Sequence, residues 1–155
     1  MLRANSAVVV DAGNYYPTRD GVVTQVASGA TDSEWIASVL GRPVIKAFNN
    51  ILAASLAKVG TADVTRERIA LSVAGDDAAA KQLVQSVVQE LGFDAIDGGT
   101  LSESWRQQPG TPAYCKDLSA TQLKAALASA DKAEIVRYRK EADEVAAPYL
   151  TPYKE

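Results

Sequence analysis

The sequence contains no histidine in 155 residues. That absence excludes histidine-based catalytic triads, zinc sites ligated by imidazole, and imidazole acid–base chemistry near neutral pH. A single cysteine, Cys115, excludes an internal disulfide and is typical of a protein in a reducing cytoplasm, where we expect this chain to act. No apolar run approaches the roughly 18 residues of a membrane span, so we expect no membrane partner.

An excess of basic charge is also missing. Sixteen Lys and Arg against nineteen Asp and Glu give a net charge of −3 at pH 7. A surface that binds phosphate backbones normally shows a basic excess, so nucleic acid is not an expected partner. Hydrophobic residues make up 47% and charged residues 23%, which is the composition of a folded domain with a hydrophobic core.

The hydrophobic pattern alternates short strands with helices. Each predicted strand is short and apolar, and a segment with helical spacing of its apolar residues follows most of them. This order predicts an α/β layered fold, a partial Rossmann-like arrangement of about four mostly parallel strands with a C-terminal helical tail. We expect a domain over residues 1–118 and a helical segment over 119–155. The predicted strands are 7–12, 44–48, 69–74 and 93–97.

Helix-capping residues mark where the predicted helices begin and end. Thr31 or Asp32 can cap one helix, with Glu34 near the capping-box position. Asn49 or Asn50 can cap the next. The Asp76–Asp77 pair reads most simply as an N-cap plus a charge that complements the helix dipole, because further oxygen ligands for a metal are missing nearby. The helix that follows this Asp76–Asp77 pair shows a single apolar stripe and ends at Gly92. The segment 99–118 reads as an irregular loop.

Five segments, in this order and spacing, resemble one family: the NADP oxidoreductases related to the reductases that use coenzyme F420, a deazaflavin. The resemblance implies a hydride transfer between NADPH and an acceptor, with the deazaflavin one possible acceptor, and no metal. Hydride transfer places few demands on side chains, so the lack of histidine is compatible with it. The five segments are 8–21, 44–49, 73–77, 91–99 and 105–114.

The resemblance implies roles for particular residues. Asn14, Lys46 and Asn49 would lie beside the cofactor, at the carboxyl ends of strands where open α/β sheets bind ligands. The plainer alternatives are a turn residue at Asn14, a paired buried lysine at Lys46 and a helix cap at Asn49. Phe48 would face the acceptor region. A long loop carrying Trp105, Arg106 and Tyr114 would contact the acceptor or a dimer partner, or would simply be pinned to the sheet by its aromatic rings.

One motif of the family is missing. Its members open with a strand that runs into a Gly-x-Gly-x-x-Gly turn, which lets a pyrophosphate approach a helix N-terminus, and this sequence has no such turn. The resemblance therefore implies that the chain corresponds to the carboxyl part of the enzyme. The alternative is a non-catalytic remnant that self-associates. Either way we expect a homodimer, because the 7–12 strand would expose an unpaired edge.

Overall fold

The computed structural model describes residues 7–58, 60–61, 63, 65 and 67–151. Its elements alternate as predicted, with short strands separated by helices. The strands are β1 (Val10–Asp11), β2 (Ile45–Lys46), β3 (Ala70–Val73) and β4 (Asp94–Asp97). The helices are α1 (Pro17–Asp20), α2 (Thr24–Ala27), α3 (Asp32–Leu40), α4 (Ala53–Lys58), α5 (Ala78–Glu90), α6 (Ala120–Ser129) and α7 (Ile135–Ala146). Three 3-10 helices cover Leu101–Gln107, Lys132–Glu134 and Ala147–Tyr149.

The described strands form two small parallel sheets. β1 pairs with β2, and β3 pairs with β4, both in parallel. A single antiparallel bridge between Lys46 and Ala74 joins the two pairs through reciprocal backbone hydrogen bonds of 2.8 and 2.9 Å. The α/β class with short parallel strands is thus confirmed, whereas the strands are shorter than predicted and do not form one continuous ladder.

The first strand differs most from its prediction. Residues 7–12 read as a strand buried on both faces, but only Val10 and Asp11 pair, and the Val10 side chain is 40% exposed. Among the described residues only β2 pairs with β1, so the other edge of this strand carries no partner strand. An apolar run therefore indicated a strand here correctly but overstated how much of it is covered.

Two hydrophobic clusters hold the layers together. The larger packs the side chains of β2 and β3 against α5 and includes Ile45, Leu71, Val84, Val88 and Phe93. The smaller packs β3 and β4 against α6. The larger cluster also includes Ala47 and Ile51, so it anchors the segment that follows β2.

Capping chemistry was predicted well at two helices. Thr31 caps α3 in a full capping box with Glu34, and Asp77 caps α5 by accepting from the backbone N–H of Ala80 at 3.0 Å. Gly92 follows α5 with a φ of 91°, the left-handed conformation that favours glycine at this position. Asp76 is not part of the cap: its side chain accepts from the N–H of Leu101 at 2.9 Å and holds the start of the first 3-10 helix.

Three expectations about local structure were wrong. Neither Asn49 nor Asn50 caps α4, which begins at Ala53, because both side chains are buried and bonded elsewhere. The 99–118 segment contains an ordered 3-10 helix rather than only irregular loop. The single apolar stripe of α5 is split: Val84 and Val88 are buried, but the neighbouring large side chains on the helix stay exposed. The exposed ones are Leu83 and Val87 on the helix and Leu91 just after its end.

Candidate functional site

A buried ion pair lies at the carboxyl ends of β1 and β2. Lys46 is fully buried and its Nζ lies 3.2 Å from the Asp11 carboxylate. The same ammonium donates to the backbone carbonyl of Gly13 at 2.6 Å, so it ties the loop after β1 to β2. Burying a charge is costly unless it is paired and hydrogen-bonded, and Lys46 meets both conditions. Of the two placements that the sequence left open for Lys46, beside a cofactor or paired with a carboxylate, the structure shows the pairing.

Both oxygens of Asp11 are occupied. One accepts from the backbone N–H of Gly13 at 2.8 Å, and the other accepts from the Ser33 hydroxyl at 2.6 Å as well as from Lys46. Ser33, in the first turn of α3, is fully buried. The loop after β1, the start of α3 and the end of β2 therefore converge on one carboxylate, which fixes their relative positions.

A second polar network, centred on Asn49, joins the loops after β1 and β2 to the end of the first 3-10 helix. Its side-chain N–H₂ donates to the Asn14 side-chain oxygen at 3.1 Å and to the Gln107 backbone carbonyl at 2.7 Å. The Gln107 amide donates back to the Asn49 oxygen at 2.9 Å. Asn14 and Asn49, both predicted from sequence, thus meet at the carboxyl ends of adjacent parallel strands, where α/β sheets bind ligands.

The backbone turn before Asn49 is strained. Phe48 has a φ of 65°, in the left-handed region that large side chains rarely adopt. Such strain persists only where surrounding contacts hold it, and it clusters at binding sites. Here the flanking residues Ala47 and Asn49 are both buried, so the turn is held at both ends while the Phe48 ring packs beside the larger hydrophobic cluster.

A cavity of about 300 Å³ opens beside this network. Its walls combine aromatic and aliphatic side chains with carboxylates, a mixture typical of small-molecule sites. Asn14 is part of its lining, whereas Asn49 supports that side chain from behind. The lining consists of Asp11, Gly13, Asn14, Tyr15, Arg19, Asp20, Asp32, Trp35 and Ile36.

Asp32 is the least satisfied acid of this cavity. Its side chain is buried, and one oxygen accepts only a 3.3 Å hydrogen bond from the Tyr15 N–H. The other oxygen, Oδ1, receives no hydrogen bond within the described part of the chain, and the nearest cationic atom, Arg139 Nη2, lies 3.9 Å away. Burial raises the pKa of Asp32, although the charges of Lys46 and Arg139 oppose that rise.

Tyr16 follows the cavity residue Tyr15 in the sequence and pairs with Tyr114, and neither of these two tyrosines lines the cavity that contains Asn14. The hydroxyls of Tyr16 and Tyr114 lie 2.7 Å apart and share a hydrogen bond. Burial raises the pKa of both, so both stay protonated and can donate but not act as bases at neutral pH. Burial also raises the pKa of the neighbouring Cys115 thiol, which disfavours a nucleophilic role.

Two predicted residues lie elsewhere. Trp105 is buried and lines a separate small cavity together with Val26 and Arg139. Arg106 stacks 4.9 Å from the Trp105 ring, pairs with Glu103, and faces an open groove beyond β4. Neither lines the cavity that contains Asn14, so the structure does not bring these two residues into the same site.

Several residues of the site were missed from the sequence. By sequence these residues had separate local roles, in a strand, a helix cap, a helix and a loop. Contacts between distant segments bring them to the site. They are Asp11, Asp32, Ser33 and Gln107. A signal was available for Asp11, because a carboxylate that ends an apolar strand needs a partner once buried. Within the described ranges, no group of three or more Cys, Asp or Glu side chains is arranged to hold a metal ion.

Comparisons with known proteins give partial matches. No family model matches the chain. The protein YjhV of Escherichia coli K12 is 46% identical over 70 residues, which are 45% of this chain and 51% of YjhV. The chain thus spans about half the length of the curated relative it matches.

Two solved structures are also similar. A hypothetical protein from Sinorhizobium meliloti, SMa0349, has a TM-score of 0.60 at 30% identity, over 72% of this chain and 54% of that protein. A candidate F420-dependent NADP reductase from Arthrobacter sp. FB24 has a TM-score of 0.42 at 28% identity, over 49% of this chain and 34% of that protein. Every helix in the described residues is too short or too polar to cross a membrane.

Proposed function

We propose that this chain forms one side of an NADP-dependent hydride-transfer site, an oxidoreductase function in which a second segment supplies the pyrophosphate-binding turn. The observation that carries the proposal is the convergence of Asn14, Lys46 and Asn49 at the carboxyl ends of β1 and β2, beside an open cavity. The resemblance of five sequence segments to the NADP oxidoreductases supports the same assignment.

Hydride transfer requires no acid, base or nucleophile among the side chains that line the site. In hydride transfer the cofactor carries the reacting bond, and the protein orients two rings and excludes water. Asn14 presents a side-chain amide at the cavity, and Asn49 fixes its orientation by donating to its oxygen. Lys46 holds the Gly13 carbonyl, so the backbone of the loop is set as well as its side chain. These residues position a ligand; they do not attack it.

The experiment that tests this proposal measures which ring of NADPH, the nicotinamide or the adenine, contacts the protein. Saturation-transfer NMR on the purified chain should show stronger contact to the nicotinamide protons than to the adenine protons. We expect a dissociation constant weaker than about 100 µM, because the glycine turn that binds pyrophosphate is not in this sequence. The N14A variant should lose the nicotinamide contact, and a matched substitution far from the cavity, Ser86→Ala, should keep it.

Other results would contradict the proposal. Contact led by the adenine ring would place the site elsewhere. So would amide shifts in a ¹⁵N spectrum that avoid Gly13, Asn14 and Asn49. Low-micromolar binding would mean that the chain holds the whole dinucleotide, and the half-site arrangement would then be wrong.

A second candidate function is self-association without catalysis. The specific observation is the outer edge of β1. Val10 on this strand is 40% exposed, and among the described residues no strand other than β2 pairs with β1. Exposed strand edges are templates for pairing with another chain, and identical chains usually pair about a two-fold axis. On this view a second copy of the chain is the partner, and the interface lies along β1.

A further inference from the structure

The side-chain amide of Asn14 presents its nitrogen, rather than its oxygen, to the cavity. The oxygen, Oδ1, accepts the 3.1 Å hydrogen bond from Asn49, and the backbone carbonyl of Asn14 accepts from Arg19. The nitrogen, Nδ2, donates to no described residue and is not one of the buried side-chain atoms without a partner, so solvent reaches it. Because Asn14 is half-buried and lines the cavity, Nδ2 is an accessible donor in the cavity wall.

Two backbone carbonyls fix the orientation of this amide. A carbonyl oxygen only accepts, so the side-chain atom that bonds to it is a nitrogen. Gln107 Nε2 donates to the Ser72 carbonyl at 3.3 Å and to the Asn49 oxygen at 2.9 Å. Asn49 Nδ2 donates to the Gln107 carbonyl at 2.7 Å and to Asn14 Oδ1. Turning any one of the three amides over would set oxygen against oxygen or nitrogen against nitrogen, so Asn14 is held with its nitrogen outward.

A donor held in this way selects a ligand that carries an acceptor. An oxygen acceptor gains a hydrogen bond from Asn14, whereas a ligand without one covers Nδ2 and leaves it without a partner. Two ion pairs at the wall, Arg19 with Asp20 and Lys46 with Asp11, are internally compensated, so they give an anion little return for the water that it loses. An uncharged carbonyl group is the acceptor that meets both conditions.

The apolar part of the wall fits a flat ring. Trp35 and Ile36, both half-buried on α3, line the same cavity. Tyr15 also lines it, and its hydroxyl already donates to the Gly21 carbonyl at 2.8 Å. The cavity, of about 300 Å³, has room for one aromatic or heterocyclic ring with a small substituent.

We infer that Asn14 determines specificity in this cavity by donating from Nδ2 to the carbonyl oxygen of an uncharged ring, and that Asn49 and Gln107 are positioning residues that keep this nitrogen outward. The inference rests on the proposed function in that the ring would be a reactant of the hydride transfer. Its own claim concerns which group of a ligand is recognised, and that recognition does not require a hydride to move.

Three probes of similar size separate the acceptor from the ring and from the charge. Acetophenone is neutral and carries a carbonyl, α-methylstyrene has CH₂ in place of that oxygen, and benzoate is an anion. Titrations of the wild type followed by ¹⁵N NMR should give acetophenone the highest affinity, about tenfold above α-methylstyrene, because only the carbonyl accepts the hydrogen bond. The side-chain N–H₂ signals of Asn14 should shift downfield with acetophenone and not with α-methylstyrene.

The variant N14D keeps the shape of the side chain and removes its donor. A carboxylate still accepts from Asn49, but both of its oxygens are acceptors, so the preference for acetophenone over α-methylstyrene should fall about tenfold. Comparing this ratio of affinities between variants cancels the difference in apolarity between the two probes. The matched control Q82E makes the same amide-to-carboxylate change at an exposed position of α5 and should keep the ratio.

The variant N49A tests the positioning step. Without Asn49 the amide of Asn14 can turn either atom towards the cavity, so the ratio should fall part of the way to its value in N14D, although Asn14 itself is unchanged. A purely structural loss would weaken both probes together and leave the ratio as it is. If N49A does not fold, the ratio in N14D and the N–H₂ signals of Asn14 in the wild type decide the matter.

Several results would overturn the inference. An equal ratio in the wild type and N14D, or the same fall in Q82E, would remove Asn14 from the role. Tighter binding of benzoate than of acetophenone would show that the cavity selects an anion. An unchanged ratio in folded N49A would remove Asn49 as a positioning residue. The nicotinamide contact of NADPH is measured separately, and its absence with the ratio intact would contradict the proposed function alone.

Discussion

The side chain of Asn49 donates a hydrogen bond to the side-chain oxygen of Asn14 over 3.1 Å, although 35 residues separate them. Each follows one strand of the β1–β2 pair, and the contact joins the two loops at one edge of the sheet. Asn49 is nearly fully buried whereas Asn14 is half-exposed and faces the cavity. Asn49 thus holds the Asn14 side chain in place, and Asn14 presents its amide to the cavity.

Replacing Asn49 by alanine should destabilise the fold. The change removes one hydrogen bond to Asn14 and two to Gln107, whose Nε2 then keeps only the 3.3 Å contact with the Ser72 carbonyl. We expect the free energy of unfolding to fall by about 2 kcal/mol, which urea denaturation measures. The control N14A removes a half-exposed side chain and should cost clearly less. Equal losses in the two variants would contradict the supporting role of Asn49.

Replacing each of the two neighbouring aspartates before α5 should affect a different backbone amide. Asp77 caps the helix, so D77A should lower the free energy of unfolding by about 1 kcal/mol and speed hydrogen exchange at the Ala80 amide. Asp76 bonds the Leu101 N–H, so D76A should speed exchange at Leu101 and leave Ala80 protected. Faster exchange at both amides in either variant would show that the pair acts as one unit.

Stability should depend on pH through Asp32. Burial raises the pKa of this carboxyl above 3.8 in the folded state, so the folded protein binds its proton more tightly than the unfolded chain does. The contribution of Asp32 to stability is therefore present below pH 3.8 and is lost as pH rises from there through the raised pKa. Other carboxylates titrate in the same interval, so the quantity to measure is wild type minus D32N in urea unfolding. A difference that is flat with pH, or that grows as pH rises, would contradict the raised pKa.

Much of the local structure could be predicted because it depends on neighbours in sequence. The Thr31–Glu34 capping box, the Asp77 cap and the glycine at the end of α5 each follow from a few adjacent residues. The pairing of Lys46 with a carboxylate followed from a lysine inside an apolar strand, since a buried ammonium needs an acceptor. The identity of that acceptor, Asp11, did not follow.

What could not be predicted depends on contacts between distant segments. Asn49 fits a helix cap by sequence alone, and only the approach of Gln107 and Asn14 assigns its amide elsewhere. Asp32 likewise fits a helix cap by sequence alone. Its burial under Tyr15 and Arg139 is decided by the packing of the loop after β1 and by α7, which sequence periodicity does not position.

Self-association through β1 can be tested by placing a lysine on its exposed side chain. Val10 is 40% exposed, so V10K should fold normally, while a charge on the strand edge opposes pairing with a second copy. Analytical ultracentrifugation should show a dimer for the wild type and a dissociation constant raised about tenfold or more in V10K. The control V22K introduces the same charge at a valine that is 81% exposed and lies outside the strand, and it should leave the dimer intact. A wild-type monomer at high concentration, or the same loss in both variants, would exclude β1 as the interface.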